Sequence, residues 1–273
     1  EIEKILTRRI TTEHCFVYDN KGLYTLETCC VLVPKKEYRS TKFTKFLTGL
    51  LNSKTIEIAL KLTSRYLGKQ GFEYEKQYLD RLSIKLPQID WEKRIVDEIT
   101  EDVNQILQLK EQSYLSKDRL KTFPYSYFED SWSFEKLANV IKTQSISKES
   151  YAISEDLLRT DYLLRDLDGK ETFRIILAPN EYVDFYSEEV ASYVFEVFKT
   201  MNRITRRELL ELKIPAQSHL KSLTDEYRKD KEQIVKNEEA VKELEKQIDD
   251  LVYKLYDITY HERRIIEEYL TKF

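Results

Sequence analysis

The chain has 273 residues, 41% of them hydrophobic and 34% charged, with five Gly and five Pro, enough for one large or two modest domains and too rich in apolar residues for disorder. No apolar run approaches the ~18 residues of a membrane span and no signal peptide opens the sequence, so no membrane partner is expected. The net charge of −4 disfavours a polyanion at first, yet residues 1–89 hold 16 Lys and Arg against 10 Asp and Glu, a balance of +6, and the remainder carries −10, which marks the first part as a candidate polyanion surface.

The opening "KILTRRI" and "EHCFVY" read as strands, joined through the turn chemistry of Asp19–Asn20–Lys21–Gly22 to a β-rich "LYTLETCCVLV" that stops at Pro34. A polar loop, "PKKEYRSTK", leads to Ser40 or Thr41 as the cap of a helix through "FTKFLTGLL". A second helical pattern follows in "TIEIALKLTSRYL", and Gly68 and Gly71 bracket a turn. "YLDRLSIKLPQI" is extended up to Pro87. Asp90 then caps an amphipathic helix whose stripe runs Trp91, Ile95, Ile99, Val103, Ile106 and Leu109 or Lys110, so residues 90–113 span about 36 Å.

Between the helices, residues 117–215 read as a second α/β module. It holds an aromatic loop, "FPYSYFEDSWSF", a short helix in "FEKLANVIK", strands on either side of Asp168–Gly169, which is a hairpin signal, and a helix from Ser187. After Pro215 a heptad seam of Leu220, Leu223, Tyr227, Ile234, Val241, Leu244, Ile248, Leu251 and Leu255 predicts a helix over 216–257, roughly 63 Å long, interrupted at Asp230 and Asn237. Thr259 and Glu262 form a capping box for a terminal helix from Tyr260 to Leu270, which needs an apolar surface to receive Leu251, Leu255, Ile265, Ile266 and Leu270. "LSIKLP" at 82–87 and "LELKIP" at 210–215 precede the two long helices in step, the pattern of a repeated module–helix unit with the helices packed antiparallel.

The expected fold class is therefore α+β, two α/β modules separated by two long antiparallel helices. The domains run over 1–89, the first spacer helix over 90–116, the second module over 117–215, and the second spacer with its docking helix over 216–273. The two modules would sit at opposite ends of the helix pair, spaced to touch one duplex.

Catalytic signals are missing. The chain has no Pro-Pro pair, hence no Asn-Pro-Pro-Tyr motif, no Gly-x-Gly loop for a dinucleotide or S-adenosylmethionine, and no Walker sequence. Asp166 and Asp168–Gly169 lack the downstream Glu of a calcium loop. His14, Cys15, Cys29 and Cys30 invite a zinc reading, but adjacent cysteines on a strand point to opposite faces, so buried small hydrophobes are expected instead. Three cysteines with no disulfide framework fit a reducing cytoplasm. The candidate binding residues are the cations of the first module, most of them on or beside loops: Arg8, Arg9, Lys21 at a hairpin tip, Lys35, Lys36, Arg39, Lys42, Lys45, Arg65 and Lys69. Such residues hold phosphates, and Arg or Lys also reads guanine N7 and O6. The aromatic loop 123–134 offers stacking surface, though packing between helix and module is the expected use.

"KILTRRI…VYDNKGLYTLETCCVLVP", "FLTGLLNSK" and "YLDRLSIKLP", together with the closing "IDDLVYKLYDITYHERRIIEEY", resemble the TaqI-like C-terminal specificity domain of adenine-specific DNA methyltransferases and type IIG restriction–modification enzymes. The resemblance covers residues 1–89 and 248–269, and the Leu-Leu-Asn-Ser string at 50–53 is its most specific piece. It implies recognition of double-stranded DNA in the major groove and presentation of an adenine to a catalytic methyltransferase domain of the same chain, which flips it. The opening "EIEKIL", without an initiating Met, predicts a piece of such a longer protein. No cofactor is expected in this piece; S-adenosylmethionine, and Mg²⁺ where a nuclease accompanies the methylase, would belong to the parent. The layout also resembles type I specificity subunits, which work with separate catalytic subunits. A helical scaffold that recruits a protein partner stands as a further alternative.

Overall fold

The computed structural model describes residues 2–153, the strand 159–165 and residues 171–272. In chain order these form β1 (Lys4–Arg8), β2 (Ile10–Thr11), β3 (Phe16–Asp19), β4 (Cys29–Leu32), α1 (Thr41–Leu51), α2 (Lys54–Thr63), β5 (Phe72–Glu73), α3 (Lys76–Leu79) and α4 (Asp90–Lys121). There follow β6 (Phe134–Lys136), α5 (Leu137–Val140), β7 (Ile141–Ser145), β8 (Ser150–Ala152), β9 (Arg159–Arg165), β10 (Glu171–Ala178), β11 (Glu181–Phe185) and α6 (Glu188–Lys199). The chain closes with β12 (Arg203–Thr205), α7 (Arg206–Glu211), β13 (Lys213–Pro215), α8 (Gln217–Leu255) and α9 (Tyr260–Leu270). The class is α+β with a pair of long helices, as expected. Two compact units divide the chain: Glu1–Glu111 with Asn237–Phe273, and Gln112–Lys236.

In the first unit β1 is the central strand of an antiparallel sheet ordered β3-β1-β4. Its inner face sets Ile5 and Phe16 against Phe46 and Leu50 of α1, all buried. Ser40 caps α1 through the Phe43 N–H at 3.1 Å. At the other end of α1 the Asn52 amide accepts from the Phe16 N–H at 2.9 Å and donates to the Phe16 carbonyl at 2.8 Å, pinning the helix to the edge of β3. Ser53 turns back onto Leu50, and α2 then starts with its Lys54 N–H on the Asp249 carboxylate of α8, at 2.8 Å. The Leu-Leu-Asn-Ser string is thus a packing and capping device. His14 joins the same layers. Its Nε2 lies 2.6 Å from the Leu51 carbonyl, so it donates there, and its Nδ1 accepts from the Tyr74 hydroxyl at 2.9 Å.

Gly49 lets α1 approach the long helices. A Cβ there would meet Ile99 at 2.6 Å and Val103 at 2.9 Å, with Ile248 at 3.8 Å. Ile95, Ile99, Val103 and Ile106 of α4 are buried together with Val241, Ile248, Val252 and Leu255 of α8. Leu109 meets Asn237 while Ile99 lies with Ile248, so the two segments run antiparallel. Asn237 is an interruption only in the apolar pattern: it is buried and its amide donates to the Leu109 carbonyl at 3.3 Å. α8 ends in a Schellman motif, with Asp257 at φ 55° and the Ile258 N–H on the Tyr253 carbonyl at 2.9 Å. The Thr259–Glu262 capping box then starts α9, which returns against α2 and α8 through buried Ile266 and the pairs Arg263–Asp250 and Lys54–Glu267.

In the second unit the sheet is ordered β7-β11-β10-β9, all antiparallel, and α6 packs on its apolar face through Val190, Val194, Val197 and Phe198. Leu220, Leu223 and Tyr227 of α8 join this core together with Phe123 and Tyr127 of the aromatic loop, the packing use expected for that loop. Asp230, the other break in the seam, accepts from Ser116 at 3.1 Å and from Tyr127, and pairs with Arg119 at 3.3 Å.

Several expectations differ from the fold. β3 and β4 are not a hairpin: each pairs with β1, and only Cys29–Leu32 of the long apolar run forms a strand. Trp91 is exposed, because the first turn of α4 buries Glu92, whose carboxylate accepts from the N–H groups of Gln88 and Ile89 at 2.7 and 3.3 Å. Those bonds hold the Glu92 carboxyl below the usual range, and Asp90 is the first helical residue rather than a cap. α4 continues past residue 113 to Lys121, since Ser113 and Ser116 present small buried faces to the rest of its unit. Ile265 points to solvent. "FEKLANVIK" is a strand, a single helical turn and the start of a strand. "LELKIP" ends α7 and forms β13 against β6, whereas "LSIKLP" has no strand, so the two stretches share letters and not structure. The Asp168–Gly169 turn, with Asp166, lies outside the described residues.

Two outcomes are expected. Ile99→Asp or Ile248→Asp should each cost on the order of 3 kcal/mol by burying an unpaired carboxylate, and Gly49→Ala about 1–3 kcal/mol by pushing α1 off α4; chemical denaturation reads both. Desolvation lowers the His14 pKa below its ordinary 6.5, only partly offset by Glu57. An unfolded His14 takes up a proton near 6.5 while the folded one does not, so its contribution is complete above that pH and is lost as pH falls. The melting temperature of the wild type should fall between pH 7.5 and 5.5 more steeply than that of His14→Gln.

Candidate nucleic-acid interface

The ten cations expected at the interface fall into two groups with some outliers. Arg8 and Arg9 follow each other at the exit of β1, where the Arg9 carbonyl accepts from the Tyr74 N–H at 2.6 Å. Arg65 and Lys69 lie on the turn before β5, and the Arg65 carbonyl accepts from Glu73 at 3.0 Å. These four residues therefore surround the β2–β5 ribbon. Gly71, at φ 89°, allows the approach of that turn, since a Cβ would stand 2.0 Å from the Thr11 carbonyl oxygen. The second group is Lys35, Lys36, Arg39 and Lys42, on the helical turn 36–38 and the first residues of α1. Arg39 is anchored on the Pro34 carbonyl at 3.2 Å, and Tyr38 stacks on Phe43 beneath.

Partners distinguish these cations. Arg9 is bonded to Glu75, which raises its pKa, and it also holds the Glu27 carbonyl at 3.3 Å. Lys42 pairs with Asp97, and Lys21, in the loop after β3 rather than at a hairpin tip, lies 3.9 Å from Glu111. Lys45 turns inward, donating to Asn104 at 2.6 Å with its ammonium 5.4 Å from the centre of the Tyr18 ring. Arg8, Lys35, Lys36, Arg65 and Lys69 are exposed and have no acidic partner among the described residues, and the same holds for Arg39, whose bond is to a backbone carbonyl. They are the cations whose charge is open to a ligand.

The sequence pattern marked Asp19 as turn chemistry alone and did not single out Lys4. Burial alone would raise the Asp19 carboxyl, but N–H bonds from Lys21 and Leu23, each 2.9 Å, and Lys4 at 3.4 Å outweigh it and hold it below the usual range. Lys4 also donates to the Leu23 carbonyl at 2.5 Å. The signal was an Asp opening a turn, where its oxygens take the N–H groups that follow. In the second unit, Arg174 makes two bonds to buried Asp184 at 2.7 and 2.9 Å and stacks on Tyr182, while Lys142 lies over Tyr186. Tyr182, Asp184 and Tyr186 alternate with the core residues Val183 and Phe185, a period-two set that the sequence reading passed over.

No group of three or more His, Cys, Asp or Glu side chains is arranged to hold a metal among the described residues. Cys30 points inward, its thiol on the Tyr74 carbonyl at 3.1 Å and its pKa raised by burial, whereas Cys15 is exposed rather than a buried hydrophobe. No helix among the described residues is long and apolar enough to cross a membrane.

Solved structures that resemble the chain include one from type I restriction–modification work and one of an HsdS subunit. The first comes from work on complex assembly and conformational transition of the type I R-M system, with 13% identity, a TM-score of 0.40, and coverage of 93% of this chain and 81% of that chain. The other is the HsdS subunit from Thermoanaerobacter tengcongensis, with 14% identity, a TM-score of 0.31, and coverage of 84% and 73%. No curated protein matches. Residues 1–87, which carry every one of the ten cations, match the family model of the TaqI-like C-terminal specificity domain.

Proposed function

We propose that this chain reads a target sequence in double-stranded DNA for a restriction–modification system and is non-catalytic by itself. The observation that carries the reading is the coincidence of two things on one stretch: the specificity-domain match over residues 1–87 and the open cations Arg8, Lys35, Lys36, Arg39, Arg65 and Lys69. Cations on turns and element ends beside a packed sheet suit phosphate contact, which fixes register, while neighbouring side chains meet base edges. The chain has neither a Gly-rich cofactor loop nor a catalytic motif, so the chemistry falls to another domain. In the finer reading that domain is an adenine-specific methyltransferase of the same polypeptide, using S-adenosylmethionine and, in a type IIG enzyme, a nuclease with Mg²⁺. Three free thiols suit a reducing, cytoplasmic setting.

A second reading is a type I-like specificity subunit that recruits separate catalytic subunits. It is favoured by exposed Tyr114 and Leu115 on α4, an apolar pair on a helix whose Ser113 and Ser116 take the buried side.

Replacing Arg8, Lys35 and Lys36 together with Ser should weaken duplex binding and flatten the plot of log K against log[salt] by about 0.9 for each phosphate that is no longer neutralised. The control Lys42→Ser, which removes a cation already paired with Asp97, should change the slope little. Fluorescence anisotropy over a salt series measures both, and equal slopes for the triple variant and the wild type would take these cations out of the interface.

A further inference from the structure

The loop between β3 and β4 holds its apolar side chains in water. Tyr24 is fully exposed, Leu26 is 80% exposed and Leu23 53%. A slack loop would fold such side chains onto the protein; this one is tied at both feet. On one side Asp19 takes the N–H groups of Lys21 and Leu23, and Lys4 donates to the Leu23 carbonyl. On the other, the Arg9 N–H donates to Thr28 at 2.9 Å, its guanidinium to Glu27, and the Cys29 N–H to Leu26 at 3.0 Å. The ties are therefore made partly by cations, so the apolar tip stands between Lys4 and Arg9, with Lys21 in the loop itself. Arg8 is opposite Cys29 in the sheet register. Lys4, Arg9 and Lys21 are each paired with a carboxylate, on Asp19, Glu75 and Glu111, so Arg8 is the open charge beside the tip. An apolar tip next to an open cation complements a ligand whose apolar interior lies beside a line of negative charge. Stacked base pairs between their phosphate backbones have that form.

We propose that the loop carrying Leu23, Tyr24 and Leu26 is a wedge that inserts between base pairs of duplex DNA and opens one step beside the recognised bases. The proposal rests on the DNA-recognition reading above. It adds a contact that is apolar and so independent of salt, and a distortion of the duplex as part of recognition.

The test uses the whole chain and a duplex selected by it from a randomised pool, with 2-aminopurine placed at successive positions. Wild type and Tyr24→Phe should raise the fluorescence severalfold at one position, the mark of lost stacking. Tyr24→Ala with Leu26→Ala should abolish the rise and weaken binding by about tenfold, with the salt slope unchanged. These residues are exposed, so the variant should keep the circular dichroism spectrum and melting temperature of the wild type. No rise at any position with wild type bound, or a rise that survives in the double variant, overturns the wedge and leaves DNA recognition standing. Failure of the wild type to select any duplex overturns both. Binding to phosphatidylserine vesicles that the double variant loses, with duplex binding intact, assigns the tip to a lipid surface and overturns the proposal.

Discussion

Neither α4 nor α8 has a reason to stay helical in water alone, since each is charged over most of its surface and carries one narrow apolar stripe. What holds them is burial against each other and against the layers they support. In the first unit the α4–α8 contact is the floor on which α1 lies, close enough that only a glycine fits at position 49. In the second unit the same helices give Leu220, Leu223, Tyr227 and the Ser116–Asp230 bond to the core around Phe123. Asn237 and Asp230 replace apolar residues in the seam, yet both are bonded, and a slip of one helical turn would strand them. They set register where an all-apolar seam would tolerate sliding.

Much of this was legible in the sequence because it depends on short-range rules. The apolar stripes, the Ser40 and Ser187 caps and the Thr259–Glu262 box need only three or four residues of context. The misreadings share another origin. Trp91 fits the stripe by spacing, but the N–H groups ahead of α4 needed a carboxylate, and Glu92 took the inner place. "LELKIP" and "LSIKLP" are alike in letters, yet only the first finds a partner strand, β6. The turn at Asp19–Gly22 is real but returns no hairpin, because β1 takes the position between β3 and β4. Strand order is a property of the whole sheet, and no window of ten residues contains it.

The charge excess of residues 1–89 points to a region and not to particular side chains. Sequence gives a lysine its charge and withholds its neighbour. Arg9 meets Glu75 and Lys42 meets Asp97, partners that lie more than fifty positions away. Lys45 is used inside the fold on Asn104 and Tyr18. The open set is smaller, and it lies at strand ends and turns, where the backbone has no further residue to offer an acid.

The pair of hydrogen bonds between Asn52 and Phe16 has a consequence for association. In the order β3-β1-β4, β3 is an edge strand, and the Phe16 N–H and carbonyl point outward, where another polypeptide would add itself. The Asn52 amide occupies both groups as a one-residue surrogate strand, so the edge is closed at its start by the chain's own helix end. β4 has no such stopper among the described hydrogen bonds, which makes the sheet asymmetric toward intruding strands: guarded on the side of β3, open along Cys29–Leu32.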